Sequence, residues 1–303
     1  MLSYFQAIVI GVLQGVSELF PVSSLGHSVL VPAFLGWHSL VGAQSQKESF
    51  FLSFLVALHV ATALALLVYY RRDWVRIVSG MLRSLRSRRI DSPDARLGWL
   101  LVAATIPVGL TGLVFEHPLR TLFAKPLAAG IFLTCNGVIL LATERLRRRS
   151  AARALVAAGA GPAPSEAEIR AEVEDGRQLG TLGAVEATGI GAAQILALFA
   201  GISRSGVTMA AGLFRGLDHD DAARFSFLLA TPIILAAGLY KIPDLLGPLG
   251  DGIRPQILVG SLCAGVSAYL AVRFLVRWFT TRTLTPFGIY CLIAGLLAVV
   301  RFH

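Results

Sequence analysis

The sequence contains one motif twice, 180 residues apart, and each copy lies within an apolar stretch. The first copy, QGVSELFPVSSLGH, begins at Gln14, and the second, QILALFAGISRSGV, begins at Gln194. Identical residues extend this register without a gap, at Ala7 and Ala187, Ile10 and Ile190, Gly11 and Gly191, Phe34 and Phe214, and Gly36 and Gly216. In a membrane protein, a repeat of this kind predicts two broken segments that meet at one site.

Composition indicates a membrane protein. Hydrophobic residues make up 55% of the chain and charged residues only 15%, against about 25% charged residues in soluble proteins. Six long segments contain no Asp, Glu, Lys or Arg, namely Phe50–Tyr70, Leu97–Phe115, Pro126–Thr143, Phe225–Tyr240, Pro255–Val272 and Thr283–Val300. Five have the length of a membrane-spanning helix. The fourth is short and contains Pro232, so we expect it to bend or to be extended by its neighbours. A soluble helical bundle would need polar faces that these segments lack.

The net charge of +9 is unevenly distributed. Arginines concentrate after the first and third spans and between the fifth and sixth, at Arg71, Arg72, Arg76, Arg83, Arg86, Arg88, Arg89, Arg145, Arg147, Arg148, Arg149, Arg273, Arg277 and Arg282. The positive-inside rule predicts that these three basic loops lie in the cytoplasm. Juxtamembrane arginines typically contact anionic membrane lipids, so we expect no nucleic-acid partner.

The chain divides into two repeats joined by a polar linker. We predict a first repeat over residues 1–143, a cytoplasmic linker over 144–178 and a second repeat over 179–303. Each repeat begins with a re-entrant hairpin, at 1–45 and 179–216. Three transmembrane helices follow each hairpin, at about 50–70, 97–115 and 126–143, and at about 225–240, 255–272 and 283–300. Three crossings per repeat reverse the orientation of the second copy. The fold class is therefore an all-α polytopic membrane protein with an inverted-topology repeat.

The serine and glycine sequences SSLG and SRSG predict short loops between half-helices. Broken backbone at membrane depth is tolerated only where protein buries it or where it lines a wet cavity. Ser23 and Ser203 are suited to cap the helices that follow. Two helix N-termini would then direct free N–H groups at one place, which favours an anion. Ordinary helix breaks without a ligand are the alternative.

Charged residues in these hairpins suggest a site. The planar guanidinium of Arg204 suits bidentate phosphate binding, and a structural pair with Glu18 is the alternative. Glu18 lies four residues after Gln14 on the same helical face. Such oxygen donors suit a hard divalent cation, although a helical pair facing a wet cavity would have the same spacing.

Histidines differ in their surroundings. His27 lies three residues after Ser24, within one helical turn, and is a candidate nucleophile or general base. His59 lies alone in the middle of an apolar span, so we interpret it as a structural core residue. The residues alone do not choose between Ser24 and His27 as the nucleophile.

Together the two motifs resemble the signature regions of the bacterial undecaprenyl pyrophosphate phosphatase family, which is also linked to bacitracin resistance. The first family motif has Glu or Gln, three residues and Glu, followed by PVSSTGH, and the second reads PGxSRSG. The resemblance covers nearly the whole chain. This sequence departs from the family at Leu25, where Thr is usual, and at Ala200, where Pro is usual. Gln14 is an accepted variant of the first acidic position.

The resemblance implies hydrolysis of undecaprenyl pyrophosphate to undecaprenyl phosphate and inorganic phosphate, which recycles the lipid carrier for cell-wall peptidoglycan synthesis. It implies a multi-pass protein of the bacterial cytoplasmic (inner) membrane, with its active site facing the outer, periplasmic side. The implied catalytic residues are Glu18, Ser24, His27 and Arg204. The implied substrate-binding residues are Gln14, Ser23, Gly26, Gly201, Ser203, Ser205, Gly206 and Thr208. Glu18 and Gln14 would hold Mg²⁺ or Ca²⁺ as the divalent cation.

Two other classes of function remain open at this point. A secondary transporter or flippase of a polyprenyl phosphate lipid would also use inverted repeats and broken helices, but would release no phosphate. A non-catalytic lipid-binding scaffold gives no reason for Arg204 and His27 to occupy apolar hairpins. A homodimer is compatible with the sequence, which does not fix the oligomeric state.

Overall fold

The computed structural model describes residues 2–44, 50–123, 125–158, 164–247 and 251–303. Its α-helices are α1 (Tyr4–Leu19), α2 (Ser24–Phe34), α3 (His38–Gln44), α4 (Phe50–Tyr69), α5 (Arg71–Ser87), α6 (Pro93–Phe123), α7 (Pro126–Ala157), α8 (Glu166–Glu174), α9 (Ala184–Ala192), α10 (Arg204–Phe214), α11 (His219–Leu246), α12 (Arg254–Phe279) and α13 (Thr285–Phe302). Short 3₁₀ segments occur at Leu179–Thr181 and Ala193–Leu198. Of the predicted hairpin and linker ranges, Met1, Ser45 and residues 159–163 lie outside the described residues.

Six helices in the described ranges are long and apolar enough to cross a membrane. These are Phe50–Tyr69, Pro93–Phe115, Pro126–Ala157, His219–Leu239, Arg254–Phe279 and Thr285–Phe302. Each overlaps one of the six uncharged segments, and the prediction of an all-α polytopic membrane protein is confirmed. The short fourth segment gains its length from flanking residues, because α11 continues through Pro232 from His219 to Leu246.

The repeat found in the sequence is also present in the helix bounds. α2 begins at residue 24 and ends at 34, and α10 begins at 204 and ends at 214, so both bounds differ by 180. The stretch equivalent to α1 is divided into α9 and the 3₁₀ segment Ala193–Leu198. The two copies therefore form similar hairpins, although the first arm is a continuous α-helix only in the first copy.

The first arm of each hairpin packs against a long helix of the other repeat. α1 lies along α12, and α9 lies along α6. Gly11 faces the backbone of Gly260, and the equivalent Gly191 faces the backbone of Ala104, with no room for a Cβ atom at either glycine. Small residues allow this close approach between helices in a membrane. The exchange of partners holds the two repeats together, while their opposite orientation in the bilayer stays a prediction.

The polar linker is partly helical. α7 continues beyond the apolar stretch to Ala157, and α8 follows after an N-terminal cap by Ser165. Arg147 donates hydrogen bonds to the carbonyl oxygens of Leu217 and Val173, the latter at 2.7 Å. The linker is thus attached to the end of the second hairpin by side-chain contacts to backbone oxygens.

Candidate active site

The tips of both hairpins have the same local structure, a serine that caps the helix after it. The Oγ atom of Ser23 accepts a hydrogen bond from the N–H of Gly26 at 3.2 Å, and that of Ser203 accepts one from Gly206 at 3.1 Å. The predicted capping roles of these two serines are confirmed. Because a capped helix start still leaves free N–H groups, each tip is favourable to an anion.

The two tips are in direct contact. The N–H of Gly201 donates to Ser23 Oγ at 3.1 Å, across 178 residues of sequence. Gly201 has a φ of 115°, a conformation that favours glycine. A Cβ atom on Gly26 would lie 2.8 Å from the Cα atom of Gly201. The glycines of SSLG and of the second motif are therefore needed for two backbones to meet at one point.

Asn136 on α7 makes a hydrogen bond to each of the two hairpin tips. Its Nδ2 atom donates to the carbonyl oxygen of Pro21 at 2.9 Å, and its Oδ1 atom accepts from the N–H of Ser203 at 3.0 Å. The side chain is fully buried. One amide thus satisfies a backbone acceptor of the first tip and a backbone donor of the second, which fixes their relative position.

Glu18 is the centre of the polar contacts. Its Oε2 atom accepts hydrogen bonds from Ser24 Oγ at 2.5 Å and from Gln14 Nε2 at 3.1 Å. The Nε2 atom of His59 lies 3.3 Å from the same oxygen. Arg204 donates through a terminal guanidinium nitrogen to Oε1 at 3.2 Å. A carboxylate, a hydroxyl and two basic side chains from both repeats therefore meet within hydrogen-bond distance.

These groups line a cavity of about 330 Å³. Its polar lining residues are Glu18, Ser23, Ser24, His59, Gln194, Ser203 and Arg204. Its other lining residues are apolar or glycine, namely Leu25, Val56, Val108, Ala197, Leu198, Ile202, Ile233, Ile234, Ala237 and Gly238. A cavity lined both by a cluster of charged and polar groups and by many apolar side chains suits a ligand that combines a charged head with a hydrocarbon tail.

His27 is not among the residues that line this cavity. Its Nδ1 atom lies 2.7 Å from the carbonyl oxygen of Ser23, and its Nε2 atom lies 2.7 Å from the hydroxyl of Tyr290 on α13. The two rings also stack, with centroids 5.7 Å apart. Both ring nitrogens are therefore occupied, and the described hydrogen bonds of His27 do not include Ser24. Through its contact with the carbonyl oxygen of Ser23, His27 stabilises the backbone of the first hairpin tip.

Comparison with known proteins identifies the family of this chain. A family model described as bacitracin resistance protein BacA matches residues 7–297, a range that includes the whole cavity. The chain belongs to the BacA family. It is 56% identical over 337 residues to undecaprenyl-diphosphatase 2 of Frankia alni, with 99% of this chain and 98% of that relative covered. It is 58% identical over 296 residues to undecaprenyl-diphosphatase of Mycolicibacterium paratuberculosis, with 97% and 95% covered. A more distant relative, undecaprenyl-diphosphatase 2 of Chromobacterium violaceum, is 43% identical over 300 residues, with 97% of each covered.

In this BacA-family chain, not every residue implied by the motifs lies on the cavity wall. Glu18, Ser23, Ser24, Ser203 and Arg204 do, and Gln14 contacts Glu18. Gly26, Gly201 and Gly206 belong to the tip contacts described above. Two hydroxyls bond to backbone instead, Ser205 to the carbonyl oxygen of Phe20 at 3.2 Å and Thr208 to that of Arg204 at 2.7 Å. The Ser205 bond joins the two hairpins, whereas the Thr208 bond is the local bond to the fourth preceding carbonyl that threonine often makes in a helix.

Three polar residues of this region were not assigned from the sequence. His59, interpreted as a structural core residue, has its side chain 27% exposed and contacts Glu18, so that interpretation is wrong. Asn136 was not predicted as a site residue. A lone amide in an apolar span is costly, so its presence there could have indicated a buried polar contact. Gln194 is equivalent to Gln14, and its Oε1 atom is buried without a hydrogen-bond partner. Gln194 belongs to the second motif itself, whereas only the fold shows that His59 and Asn136 lie beside the motifs.

The donor chemistry near Glu18 fits a hard divalent cation. The Oε1 atom of Gln14 is buried and lacks a hydrogen-bond partner, next to the carboxylate that its own Nε2 contacts. Amide and carboxylate oxygens are ligands that Mg²⁺ and Ca²⁺ prefer. Within the described residues no three His, Cys, Asp or Glu side chains form a metal cluster. The protein would therefore supply few ligands, and phosphate oxygens and water the others, as is usual for Mg²⁺.

Proposed function

We propose that this protein hydrolyses undecaprenyl pyrophosphate to undecaprenyl phosphate and inorganic phosphate. Membership of the BacA family and high identity to proteins named undecaprenyl-diphosphatase support the substrate and the reaction. The observation that carries the proposal is the contact of Ser24 Oγ with Glu18 Oε2 at 2.5 Å, beside Arg204. A nucleophile, a proton acceptor and a phosphate-binding cation then face one cavity.

Ser24 is the nucleophile in this proposal. Its hydroxyl proton passes to Glu18 Oε2 as Oγ bonds to the terminal phosphorus, and the bond from that phosphorus to the bridging oxygen breaks. Undecaprenyl phosphate leaves with the bridging oxygen. Water then attacks the phosphoserine, Glu18 returns its proton to Ser24 as the Oγ–P bond breaks, and both water hydrogens leave with the phosphate. His27 is disfavoured as the nucleophile because Ser23 and Tyr290 occupy its ring nitrogens.

Charge neutralisation comes from Arg204 and from the two hairpin tips. Phosphoryl transfer depends mainly on positioning and on stabilisation of charge on the equatorial oxygens. Arg204 lines the cavity, and its Nε–H is buried without a partner, so it remains available to a phosphate oxygen. The N-termini of α2 and α10 direct backbone N–H groups towards the same region.

A divalent cation is part of the proposal. When bound, Mg²⁺ or Ca²⁺ supplies positive charge that neutralises the pyrophosphate oxygens. Glu18 and the unpaired Oε1 atom of Gln14 are the groups that would hold it. His59 contacts Oε2 of Glu18 and Arg204 contacts Oε1, and both stabilise the carboxylate form.

The placement of the protein in the cell is proposed on the same basis. The apolar side chains of the cavity suit the polyprenyl tail, and the arginine-rich loops support a membrane protein with those loops in the cytoplasm. The opening of the site on the outer side of the cytoplasmic membrane is proposed from the family resemblance, because the lipid carrier is released there. Both repeats of one chain contribute polar residues to the cavity, so the reaction does not require a homodimer.

The test is phosphate release from a short-chain polyprenyl pyrophosphate by the purified protein in detergent, with and without EDTA. We expect metal-dependent release from the wild type and loss of release in Arg204→Ala. The exposed Arg86→Ala removes the same charge away from the cavity and is expected to remain active. Absence of release from folded protein with any divalent cation would contradict the proposal and favour the transporter class, which moves its ligand intact.

A further inference from the structure

An exposed apolar stripe runs along α12. Large exposed side chains recur at every fourth residue, at Leu258, Leu262, Val266, Leu270 and Phe274. Side chains four residues apart are neighbours on a helix surface, offset by about 40°, so the stripe winds partly around the helix. Sixteen residues of helix extend about 24 Å, most of the roughly 30 Å hydrocarbon thickness of a bilayer. This stripe is therefore where lipid chains contact α12.

Arginines surround a groove at the C-terminal end of the stripe. The groove has a volume of about 520 Å³ and is lined by Leu270, Arg273, Phe274, Arg277, Trp278, Thr281 and Arg282. No acidic residue is among these, and within the described part of the chain the guanidinium groups of Arg273 and Arg277 form no ion pair or hydrogen bond. Arginine forks of this kind suit phosphate oxygens.

Aromatic contacts fix the floor of the groove. Trp278 Nε1 donates to the carbonyl oxygen of Thr283 at 3.3 Å, and the guanidinium of Arg282 lies 5.8 Å from the Trp278 ring centroid. Phe274 stacks on Trp278 at 5.6 Å and on Phe20 at 5.8 Å. Tryptophan at the end of an apolar stripe is typical of the membrane–water interface. The arginines are thus held at the level where lipid head groups lie.

We propose that this groove binds an anionic phospholipid, with the phosphate between Arg273 and Arg277 and an acyl chain along Leu270 and Phe274. A cation near a helix C-terminus also stabilises the helix dipole. Stabilisation of the helix dipole alone would not explain why three arginines surround one groove, or why an apolar stripe leads into it. The combination of unpaired positive charge and lipid-facing apolar surface is complementary to a lipid rather than to free phosphate.

Native mass spectrometry of the detergent-purified protein with added phosphatidylglycerol tests the proposal. We compare the double variant Arg273→Gln/Arg277→Gln with Arg83→Gln/Arg86→Gln, which removes two arginines from α5. Two juxtamembrane arginines are expected to change the affinity by about 30-fold. The groove variant should lose bound phosphatidylglycerol by this factor, whereas the α5 variant and the wild type should retain it.

Further arms separate the alternatives. Equal loss in both double variants would overturn the proposal, because it would indicate unspecific electrostatic attraction. If the wild type retains phosphatidylcholine as well as phosphatidylglycerol, the proposal is overturned, because binding of that lipid needs no arginine. Complete displacement of the lipid by millimolar inorganic phosphate would also overturn it, because the site would then need no lipid. If the groove variant does not fold, Arg273→Lys/Arg277→Lys keeps the charge and should bind phosphatidylglycerol more weakly than the wild type. Unchanged binding in the lysine variant would contradict recognition by the guanidinium forks.

Discussion

Glu18 connects the two repeats at the level of single residues. It receives Ser24 and Gln14 from its own hairpin, His59 from α4 and Arg204 from the second hairpin. A buried carboxylate is costly unless it is paired and hydrogen-bonded. Both of its oxygens have partners, and the shortest of these contacts is to the one hydroxyl that we propose as the nucleophile. Each partner can therefore be tested by its effect on turnover.

Ser24→Ala removes the proposed nucleophile, and we expect kcat to fall by about 10³-fold or more. Ser28→Ala is the matched control, because Ser28 is also a buried serine of α2 but its hydroxyl donates to the carbonyl oxygen of Leu25. It should keep most of its activity. Phosphate release at saturating polyprenyl pyrophosphate provides the measurement, and an active Ser24→Ala enzyme would exclude Ser24 as the nucleophile.

His59→Leu removes the contact with Glu18 Oε2, and we expect kcat to fall by about 10- to 100-fold, as for partners that orient a functional carboxylate. His59→Gln can still donate a hydrogen bond and should lose less. KM is expected to change little in both variants, because the effect acts through Glu18. Equal activity of the leucine variant and the wild type would show that His59 only fills space.

At the level of elements, the hairpin tips depend on α7. Asn136→Leu leaves the N–H of Ser203 without its partner, and the carbonyl oxygen of Pro21 keeps only a long contact from Cys291 Sγ at 3.8 Å. One unsatisfied buried group costs about 1–3 kcal/mol of unfolding free energy. We expect a lower Tm in detergent together with a loss of activity. Thr134→Val on the same helix is the control, because the Thr134 hydroxyl donates to the carbonyl oxygen of Gly130 within α7. A similar decrease of Tm and activity in both variants would mean that the contacts of Asn136 with the tips contribute no more than an ordinary hydrogen bond within α7.

The close packing of α1 on α12 and of α9 on α6 predicts the same effect for equivalent Gly→Ala substitutions in the two hairpins. An alanine at Gly11 would collide with Gly260, and one at Gly191 with Ala104. We expect each Gly→Ala substitution to destabilise the protein by about 1–3 kcal/mol. Gly109→Ala on α6 has open space around its Cβ and should leave the Tm unchanged or higher. Tolerance at Gly11 with sensitivity at Gly191 would show that the two hairpins are not equivalent in packing.

For the whole molecule, the sequence predicted what depends on local chemistry. Helix lengths follow from apolar segments, and the caps at Ser23 and Ser203 follow from residues three positions apart. The repeat also predicted that the two hairpins meet at one site, and Glu18 and Arg204 do meet there. The contacts that residues outside the two motifs make with that site were not predictable. A histidine in an apolar span has the same sequence surroundings whether it packs in a core or, like His59, contacts a carboxylate. Asn136 likewise acquires its role only when two tips 180 residues apart meet beside α7.

The orientation of the two hairpins is the last prediction for the whole molecule. If the repeat is inverted, the equivalent positions Leu35 and Arg215, both exposed after the C-terminal ends of α2 and α10, lie on opposite sides of the membrane. In a background without Cys135, Cys263 and Cys291, we expect Leu35→Cys in intact cells to react with a membrane-impermeant maleimide. Arg215→Cys should react only after permeabilisation, because the odd number of crossings in the first repeat places the second hairpin on the cytoplasmic side. Reaction of both cysteines in intact cells would show that the two repeats have the same orientation. It would contradict the prediction that the two hairpins enter the membrane from opposite sides.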